Sequence, residues 1–233
     1  PERVIIEYNG MWLVSNFEKM QLPTGWGVEQ QITCVDGSTF QMYMANMKSI
    51  FMDMIKNTDM VIFNRCKKED PLPTYRRGIK VANQRAEVIF EDEEGELGDI
   101  FQDAMTFDMN APVIEILPED YGIWFVDAMD HPENYEGKTV KFKARVMKPR
   151  GMGSKFFVPG RTAMTCCADD TTFLGYVCKS AYAPKLTPGE WVEVTAKVGI
   201  EKRNEYQGEE GIVLDAEHVE QCDPLEDEMV YFN

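Results

Sequence analysis

The clearest strand signal in this sequence is TVKFKARV, residues 139–146, in which apolar side chains alternate with polar ones. This alternation places the apolar side chains on one face, as in a strand with one buried and one solvated face. Similar stretches follow: KFFVP at 155–159, FLGYVCK at 173–179, EWVEVTAKVGIE at 190–201 and GIVLDAEHVE at 211–220. Five short strands, the last two separated by the turn-rich EYQGEEG, predict a small all-β barrel of the OB type.

The first hundred residues follow a different pattern, in which strands and helices alternate. The strand candidates are short, continuous apolar runs: VIIE at 4–7, ITCVD at 32–36, MVIFN at 60–64 and AEVIF at 86–90. Such runs favour strands covered on both faces in a parallel sheet. Residues 40–57 and 74–85 have the spacing of helices. The sequence therefore predicts a partial α/β domain over 1–105 and an OB-like β-barrel domain over 112–233.

Charge and composition limit the classes of partner and the location that we expect for this chain. The chain has 233 residues and a net charge of −16, from 24 basic and 40 acidic side chains. Because such a chain repels phosphate backbones, we expect no nucleic-acid partner. No run of about 18 apolar residues and no signal peptide is found, so we expect no membrane span and a cytoplasmic protein. The start at Pro1, without methionine, suggests a fragment, a processed form or a trimmed chain.

The most reactive-looking cluster is Cys166-Cys167 beside Asp169. Thiolates bind soft or borderline ions such as zinc or copper(I), but two thiols are too few for a closed tetrahedral site. Three interpretations stay open: a metal site of Cys166, Cys167 and Asp169, a structural pair, or a redox pair. Arg161 is expected to anchor this loop by pairing with Asp169 or Asp170, with ligand binding as the alternative.

Near the start, VIIEYNG combines a strand with Glu7 and Gly10. In P-loop NTPases, an acidic residue at a strand end acts on Mg²⁺ or its water, and a glycine lets the backbone approach the γ-phosphate. VDG follows at 35–37 and NRCK at 64–67. In this order, residues 2–90 resemble the CobW-type P-loop GTPases, a metallochaperone group whose strands end in Glu-x-x-Gly, Val-Asp-Ala and Asn-Lys-x-Asp. The resemblance implies that Glu7 positions the Mg²⁺ shell, Gly10 senses the γ-phosphate and Asn64 holds the base loop.

The sequence also departs from that family. Arg65 replaces the family's lysine, and Lys67 stands where an aspartate reads guanine, although lysine can only donate hydrogen bonds. There is no GxxxxGK[ST] loop, since GMGSK at 151–155 has the wrong spacing, and no Cys-x-Cys-Cys motif. We therefore expect residues 4–7 to be an internal strand of a sheet whose first part is absent from this sequence. GTP and Mg²⁺ would serve the intact parent, with zinc or another transition metal also implied, and the chain as given should not hydrolyse GTP.

A second resemblance covers residues 112–233. HPENYEGKTVKFKARV, FVPGRTAMTCCADD, PGEWVEVTAKV and GIVLDAEHVEQ resemble the soluble C-terminal domain of the YcgQ-type subunit of a bacterial two-subunit permease. Two functions follow. One is a non-catalytic fragment of a CobW-like metallochaperone that contacts a metal-recipient protein, and the other is an adaptor for a permease subunit. Oligonucleotide binding by the barrel is disfavoured by its negative charge, and the edge of the strand at 4–7 would allow oligomers.

Overall fold

The computed structural model describes residues 2–98, 105–165 and 171–231 and divides the chain into two compact units, Pro1–Phe101 and Gln102–Asn233. The first unit contains α1 (Val14–Glu18), β1 (Ile32–Asp36), α2 (Phe40–Ile55), β2 (Met60–Asn64), α3 (Leu72–Ala82) and β3 (Glu87–Phe90). The second contains β4 (Ile114–Glu115), α4 (Tyr121–Asp130), β5 (Thr139–Met147), β6 (Phe156–Met164), β7 (Thr171–Gly175), β8 (Val177–Lys179), β9 (Trp191–Lys202), β10 (Glu210–Gln221) and β11 (Met229–Val230).

The first unit is built on a three-stranded parallel sheet in the order β1-β2-β3. One face of this sheet is fully covered. Phe63 is buried, and its ring stacks on Phe90 of β3 at 4.9 Å and on Tyr75 of α3 at 5.9 Å between centroids. Phe40, which begins α2, meets Phe63 edge-on at 4.9 Å. The aromatic cluster therefore fastens both helices to one side of the sheet.

The other face of the sheet is open. Ile32 is 48% exposed, Cys34 is exposed, and Ile62 of β2 is only half-buried. Parallel sheets normally have both faces covered, because crossover helices lie on each side. Among the described residues β1 pairs only with β2, so the outer edge of β1 is also free. This sheet is therefore complete on one face and unfinished on the other.

The predicted strand at residues 4–7 is wrong. Residues 2–9 form no strand, and Val4, Ile5 and Ile6 are 48%, 92% and 57% exposed. An apolar run becomes a strand only when a neighbouring edge accepts its hydrogen bonds. In a doubly wound sheet, the first strand lies in the middle of the sheet. Two strands that follow each other in the sequence can therefore lie on opposite sides of it without pairing. The described part of the sheet has outer edges on β1 and β3, and residues 2–9 pair with neither of them.

The second unit is a closed five-stranded barrel, which confirms the predicted OB-like part. β5 pairs with β6 and β9, and β9 pairs with β10, all antiparallel. β10 then pairs in parallel with β8, and β8 pairs with β6, which closes the ring. Taken in chain order, the strands of the ring run first, second, third, fifth, fourth. The single predicted strand at 173–179 is interrupted at Tyr176 and forms β7 and β8.

Helix α4 fills the core of the barrel unit. The side chains of Val140 and Ala144 on β5 are fully buried, as the alternation predicted. Trp124 of α4 lies 4.8 Å from the Phe142 ring, and Phe125 stacks on Tyr176 at the same centroid distance. The buried aromatic side chains of α4 thus hold the strands together from within.

Candidate functional site

The carboxyl ends of β1 and β2 bring three of the residues singled out in the sequence to one edge of the sheet. Asp36 and Asn64 are register partners. Asp36 Oδ1 accepts hydrogen bonds from the Ser38 hydroxyl at 2.6 Å and the Ser38 amide at 3.0 Å, and Oδ2 lies 2.6 Å from Arg65 Nη1. The hydrogen bond from the Ser38 hydroxyl is the main reason that the pKa of the Asp36 carboxyl is lowered. Ligands of α/β sheets bind at such carboxyl ends.

Beyond β2, the chain turns sharply. Arg65 has a left-handed backbone, with φ of 56°, and the Lys67 amide donates a 2.7 Å hydrogen bond to Asp70 Oδ2. The Asp70 carboxylate therefore stabilises the turn, while the Lys67 side chain is exposed. Asn64 Oδ1 is buried and has no hydrogen-bond partner among the described residues. The edge of the sheet therefore combines an unsatisfied hydrogen-bond acceptor, Asn64 Oδ1, with the exposed ion pair of Asp36 and Arg65.

Glu7 and Gly10 are not brought to this edge by any described contact. Glu7 is exposed in the unpaired segment, and the Gly10 carbonyl accepts a 3.2 Å hydrogen bond from the Tyr43 hydroxyl of α2. The Arg3 guanidinium of the same segment meets Glu29, just before β1, at 3.1 Å. The five residues assigned to nucleotide chemistry thus form two separate groups. Glu7 and Gly10 belong to the first segment, whereas the other three, residues 64, 65 and 67, lie at the end of β2.

A nucleoside triphosphate with Mg²⁺ does not fit the residues present. Its phosphates need a cradle of backbone N–H groups and a lysine, and the sequence has no GxxxxGK[ST] loop. The sheet edge instead carries the Asp36–Arg65 ion pair, in which the arginine charge is already balanced by the carboxylate. Cys66, buried beside Gly37, has its thiol pKa raised to about 11, mainly by burial. No step of GTP hydrolysis can be derived from this arrangement.

The predicted metal ligands Cys166, Cys167 and Asp169 lie outside the described residues. Within the described part of the chain, no group of three His, Cys, Asp or Glu side chains could hold a metal ion. Arg161 does anchor the neighbouring structure, but through backbone carbonyls. Its guanidinium is buried and donates hydrogen bonds to Pro118 O at 2.5 Å, Asp227 O at 3.0 Å and Met229 O at 3.1 Å. Asp170, its other expected partner, is also outside the described residues.

An open cleft of about 540 Å³ lies at one end of the barrel, between the β5–β6 and β9–β10 connections. OB folds use this pair of connections, with the adjacent strand face, to bind extended ligands. The cleft is lined by Pro149, Arg150, Gly151, Met152, Lys202, Arg203, Asn204 and Glu205.

The β9–β10 wall of this cleft is held rigidly. Arg203 donates two hydrogen bonds to the Glu205 carboxylate, at 3.0 and 3.2 Å, and its guanidinium lies 4.3 Å from the centroid of the Phe156 ring. The Tyr206 hydroxyl donates to Ile212 O at 2.5 Å and accepts from the Val177 amide at 3.2 Å. These contacts fix the connection to β6, β8 and β10 before any ligand arrives.

The cleft and its β5–β6 connection carry cations that the sequence motifs do not identify. The stretch GMGSK, set aside as a mis-spaced phosphate loop, forms the β5–β6 connection between Arg150 and Phe156. Arg150, Lys155 and Lys202 have no side-chain hydrogen bond or ion pair among the described residues. A sequence signal did exist: residues 137–168 contain eight basic and no acidic side chains, in a chain of net charge −16.

Several solved structures are similar to this chain, with low TM-scores. A mitochondrial single-stranded DNA binding protein from S. cerevisiae has 10% identity over 38% of this chain and 97% of its own, with a TM-score of 0.23. A small single-stranded DNA-binding protein from Streptomyces coelicolor has 14% identity over 37% and 95%, with a TM-score of 0.23. An aspartyl tRNA synthetase from Entamoeba histolytica has 15% identity over 51% and 27%, with a TM-score of 0.27. The OB-like assignment rests on the strand order of the barrel.

A search of curated proteins finds no match to this sequence. Among the helices of the described residues, none combines the length and apolar character needed to cross a membrane. Residues 96–232, which contain the whole barrel, match the family described as the DUF1980 C-terminal domain. Because that match covers more than half of the sequence, the chain belongs to the DUF1980 C-terminal domain family.

Proposed function

We propose that this chain is a non-catalytic binding protein of metal homeostasis, in which an OB-like module is joined to the C-terminal half of a CobW-like nucleotide sheet. The observation that carries the proposal is the unfinished sheet, with its open face and its free β1 edge. Another polypeptide segment would supply the missing strand, the covering helix and the phosphate loop. The compartment that suits this role is the cytoplasm, where cysteines stay reduced.

In the completed sheet, each residue at the nucleotide edge would take a defined part. Asn64 would hold the base, since its buried Oδ1 still lacks a hydrogen-bond donor. The Arg65 guanidinium would break its ion pair with Asp36 and lie against the nucleotide. Breaking this pair costs little, because an exposed ion pair contributes under about 1 kcal/mol. Glu7 and Gly10 would reach Mg²⁺ and the γ-phosphate once residues 4–7 gain a neighbouring strand.

Sequencing the coding DNA upstream of the Pro1 codon tests this proposal first. We expect an in-frame GxxxxGK[ST] loop and a Cys-x-Cys-Cys motif, and we expect the complete product to bind Mg-GTP. Asn64→Ala should weaken that binding, whereas Asn16→Ala on the exposed side of α1 should not. An initiation codon directly before Pro1, with neither motif, would overturn the GTPase part of the proposal.

The second candidate is an adaptor with a degenerate sheet, serving a permease subunit. It is favoured by Lys67, which offers a donor where guanine recognition needs an acceptor, and by Asp70, whose carboxylate already stabilises the turn. Lys67→Asp in the complete product separates the two. A gain in preference for GTP over ATP supports the GTPase, and an absence of nucleotide binding in both proteins supports the adaptor.

The metal assignment has its own test. Under the proposal, Cys166, Cys167 and Asp169 supply part of a zinc or other transition-metal site that a partner completes, because two thiolates alone leave a tetrahedral site open. Zinc should bind the wild-type chain more tightly than the Cys166→Ser/Cys167→Ser variant in a competition titration. Cys222→Ser, a control in a half-buried position, should leave the affinity unchanged. Equal affinities in all three proteins would assign the cysteine pair a structural role.

A further inference from the structure

The basic segment at residues 137–168 has most of its charges already engaged. Lys141 pairs with Glu193 at 2.9 Å, and the buried Arg161 binds backbone carbonyls. Lys138, Arg145 and Lys148 bind the carbonyls of Met109, of Gly189, and of Ala183 and Leu186, respectively. Of the cations that remain, Arg150 lines the cleft and Lys155 follows in the same connection.

The facing wall adds a further unpaired charge. Lys202 lines the cleft beside Arg203, whose own charge is balanced by Glu205 at 3.0 Å and Glu201 at 3.6 Å. On β10, the exposed Glu210 is the register partner of Lys202 and forms no ion pair among the described residues, so Lys202 shares its wall with one carboxylate. Arg150 and Lys202 line two walls of the same cleft, and cations that line one cleft attract an anion.

The surroundings of the cleft decide which anion fits. Single-stranded nucleic acids bind to aromatic platforms on which bases stack. Here one face of the half-buried Phe156 ring is covered by Arg203, and the Tyr206 ring packs against Gly211. A long phosphate backbone would also extend beyond the cleft along a chain of net charge −16, whose charges repel phosphates within about 10 Å. A short run of carboxylates avoids both problems.

We propose that the cleft between the β5–β6 and β9–β10 connections binds an acidic segment of a protein partner. Arg150 pairs with a carboxylate through two parallel hydrogen bonds, which its planar guanidinium allows. Lys202 holds a second carboxylate from the opposite wall, and Met152 contributes an adaptable apolar contact. The inference rests on the binding-module part of the proposed function and is independent of the nucleotide sheet.

The experiment measures the fluorescence anisotropy of three labelled probes, each of about ten units. Two are peptides, oligoglutamate and oligolysine, and the third is the oligonucleotide oligo(dT). The wild-type chain should bind oligoglutamate, with an affinity that falls as the salt concentration rises. It should bind neither oligolysine nor oligo(dT). Arg150→Glu/Lys202→Glu should lower that affinity about tenfold or more, since like charges then face each other. Lys19→Glu/Lys68→Glu, an exposed pair in the first unit with the same change in net charge, should lower it less than about twofold.

Other outcomes overturn the inference. Binding of oligo(dT) that is tighter than that of oligoglutamate and is lost in the cleft variant would assign the cleft to nucleic acid. Absence of oligoglutamate binding, or an equal loss in the cleft variant and the control, would show that the cleft is not the site. Both variants must unfold at the wild-type urea midpoint. Mg-GTP binding by the complete product is a separate measurement, so the failure of one proposal does not entail failure of the other.

Discussion

The barrel and the parallel sheet of this chain deal differently with exposed strand edges. In the barrel each of the five strands has two neighbours, and Val140, Ala144 and Leu214 are fully buried. In the sheet β1 has one neighbour, and Ile32 on its open face is 48% exposed. Both regions contain good strand sequences, so closure rather than composition distinguishes them. The barrel satisfies its own edges, whereas the sheet, among the described residues, keeps one face and its outer strand edges open.

The largest expected effect is in the barrel, at Arg161. Arg161→Met should lower the free energy of unfolding by about 3 kcal/mol or more, because three backbone carbonyls lose the charged donor that the buried Arg161 side chain supplies. Urea unfolding followed by tryptophan fluorescence would measure it. Arg145→Met removes a partly exposed cation that lies 3.8 Å from Glu228 and should cost less than about 1 kcal/mol. Equal losses would contradict the anchoring role of Arg161.

An effect of similar size compares the two faces of the sheet. Phe63→Ala, on the covered face, should destabilise the first unit by about 3–5 kcal/mol, because it leaves a cavity against Phe90 and Tyr75. Ile62→Ala, its neighbour on the open face, should cost well under half as much, because Ile62 is only half-buried. Urea unfolding monitored by far-ultraviolet circular dichroism gives both values. A loss at Ile62 as large as that at Phe63 would mean that the open face is covered in solution.

A smaller effect tests how closely β7 packs against the barrel strand β6. An alanine Cβ at Gly160 of β6 would collide with the Leu174 carbonyl and the Phe173 ring of β7. Gly160→Ala should therefore cost about 1–3 kcal/mol, as overpacking of a core does. Gly199→Ala on β9 is the matched control, since its nearest neighbour, the Val213 carbonyl, would be 3.7 Å away. A neutral Gly160→Ala in thermal unfolding would show that β6 and β7 are less closely packed.

The sequence predicted those parts of the fold that depend on local pattern. The bounds of β1 and β2, Ile32–Asp36 and Met60–Asn64, agree with the predicted runs residue for residue. Residues 4–7 have an equally good apolar run and form no strand, because strand formation depends on a neighbour that the run itself does not encode. Local pattern therefore identifies strand candidates, and topology decides which of them form.

The candidate site was harder to predict for a related reason. Arg150 and Lys202 are about fifty residues apart in the sequence, and only the closed strand order brings their connections together. The charge signal of residues 137–168 indicated a basic surface, but not which cations would remain unpaired. Arg161 was expected to be an anchor, yet its carbonyl partners lie 43 to 68 residues away.

The smallest expected effect concerns pH and the edge of the sheet. Because hydrogen bonds from Ser38 and the Arg65 ion pair lower the pKa of Asp36 in the folded state, its contribution to stability is present at neutral pH. That contribution disappears as the pH falls below the ordinary Asp value of 3.8 and through the lowered pKa. Asp36→Asn should therefore be less stable than the wild type at pH 7, and the difference should shrink on acidification. A difference in urea unfolding that stays constant between pH 7 and pH 3 would contradict this assignment.

Amide hydrogen exchange, followed by mass spectrometry on the intact chain, tests the central contrast most directly. The account predicts that peptides from β9 and β10 exchange slowly, at rates set by global opening of the barrel. Peptides covering residues 2–9 and β1 should exchange much faster, because the former are unpaired and the latter has one free edge. Protection of β1 equal to that of β10 would contradict the account, since it would mean that the sheet is already complete.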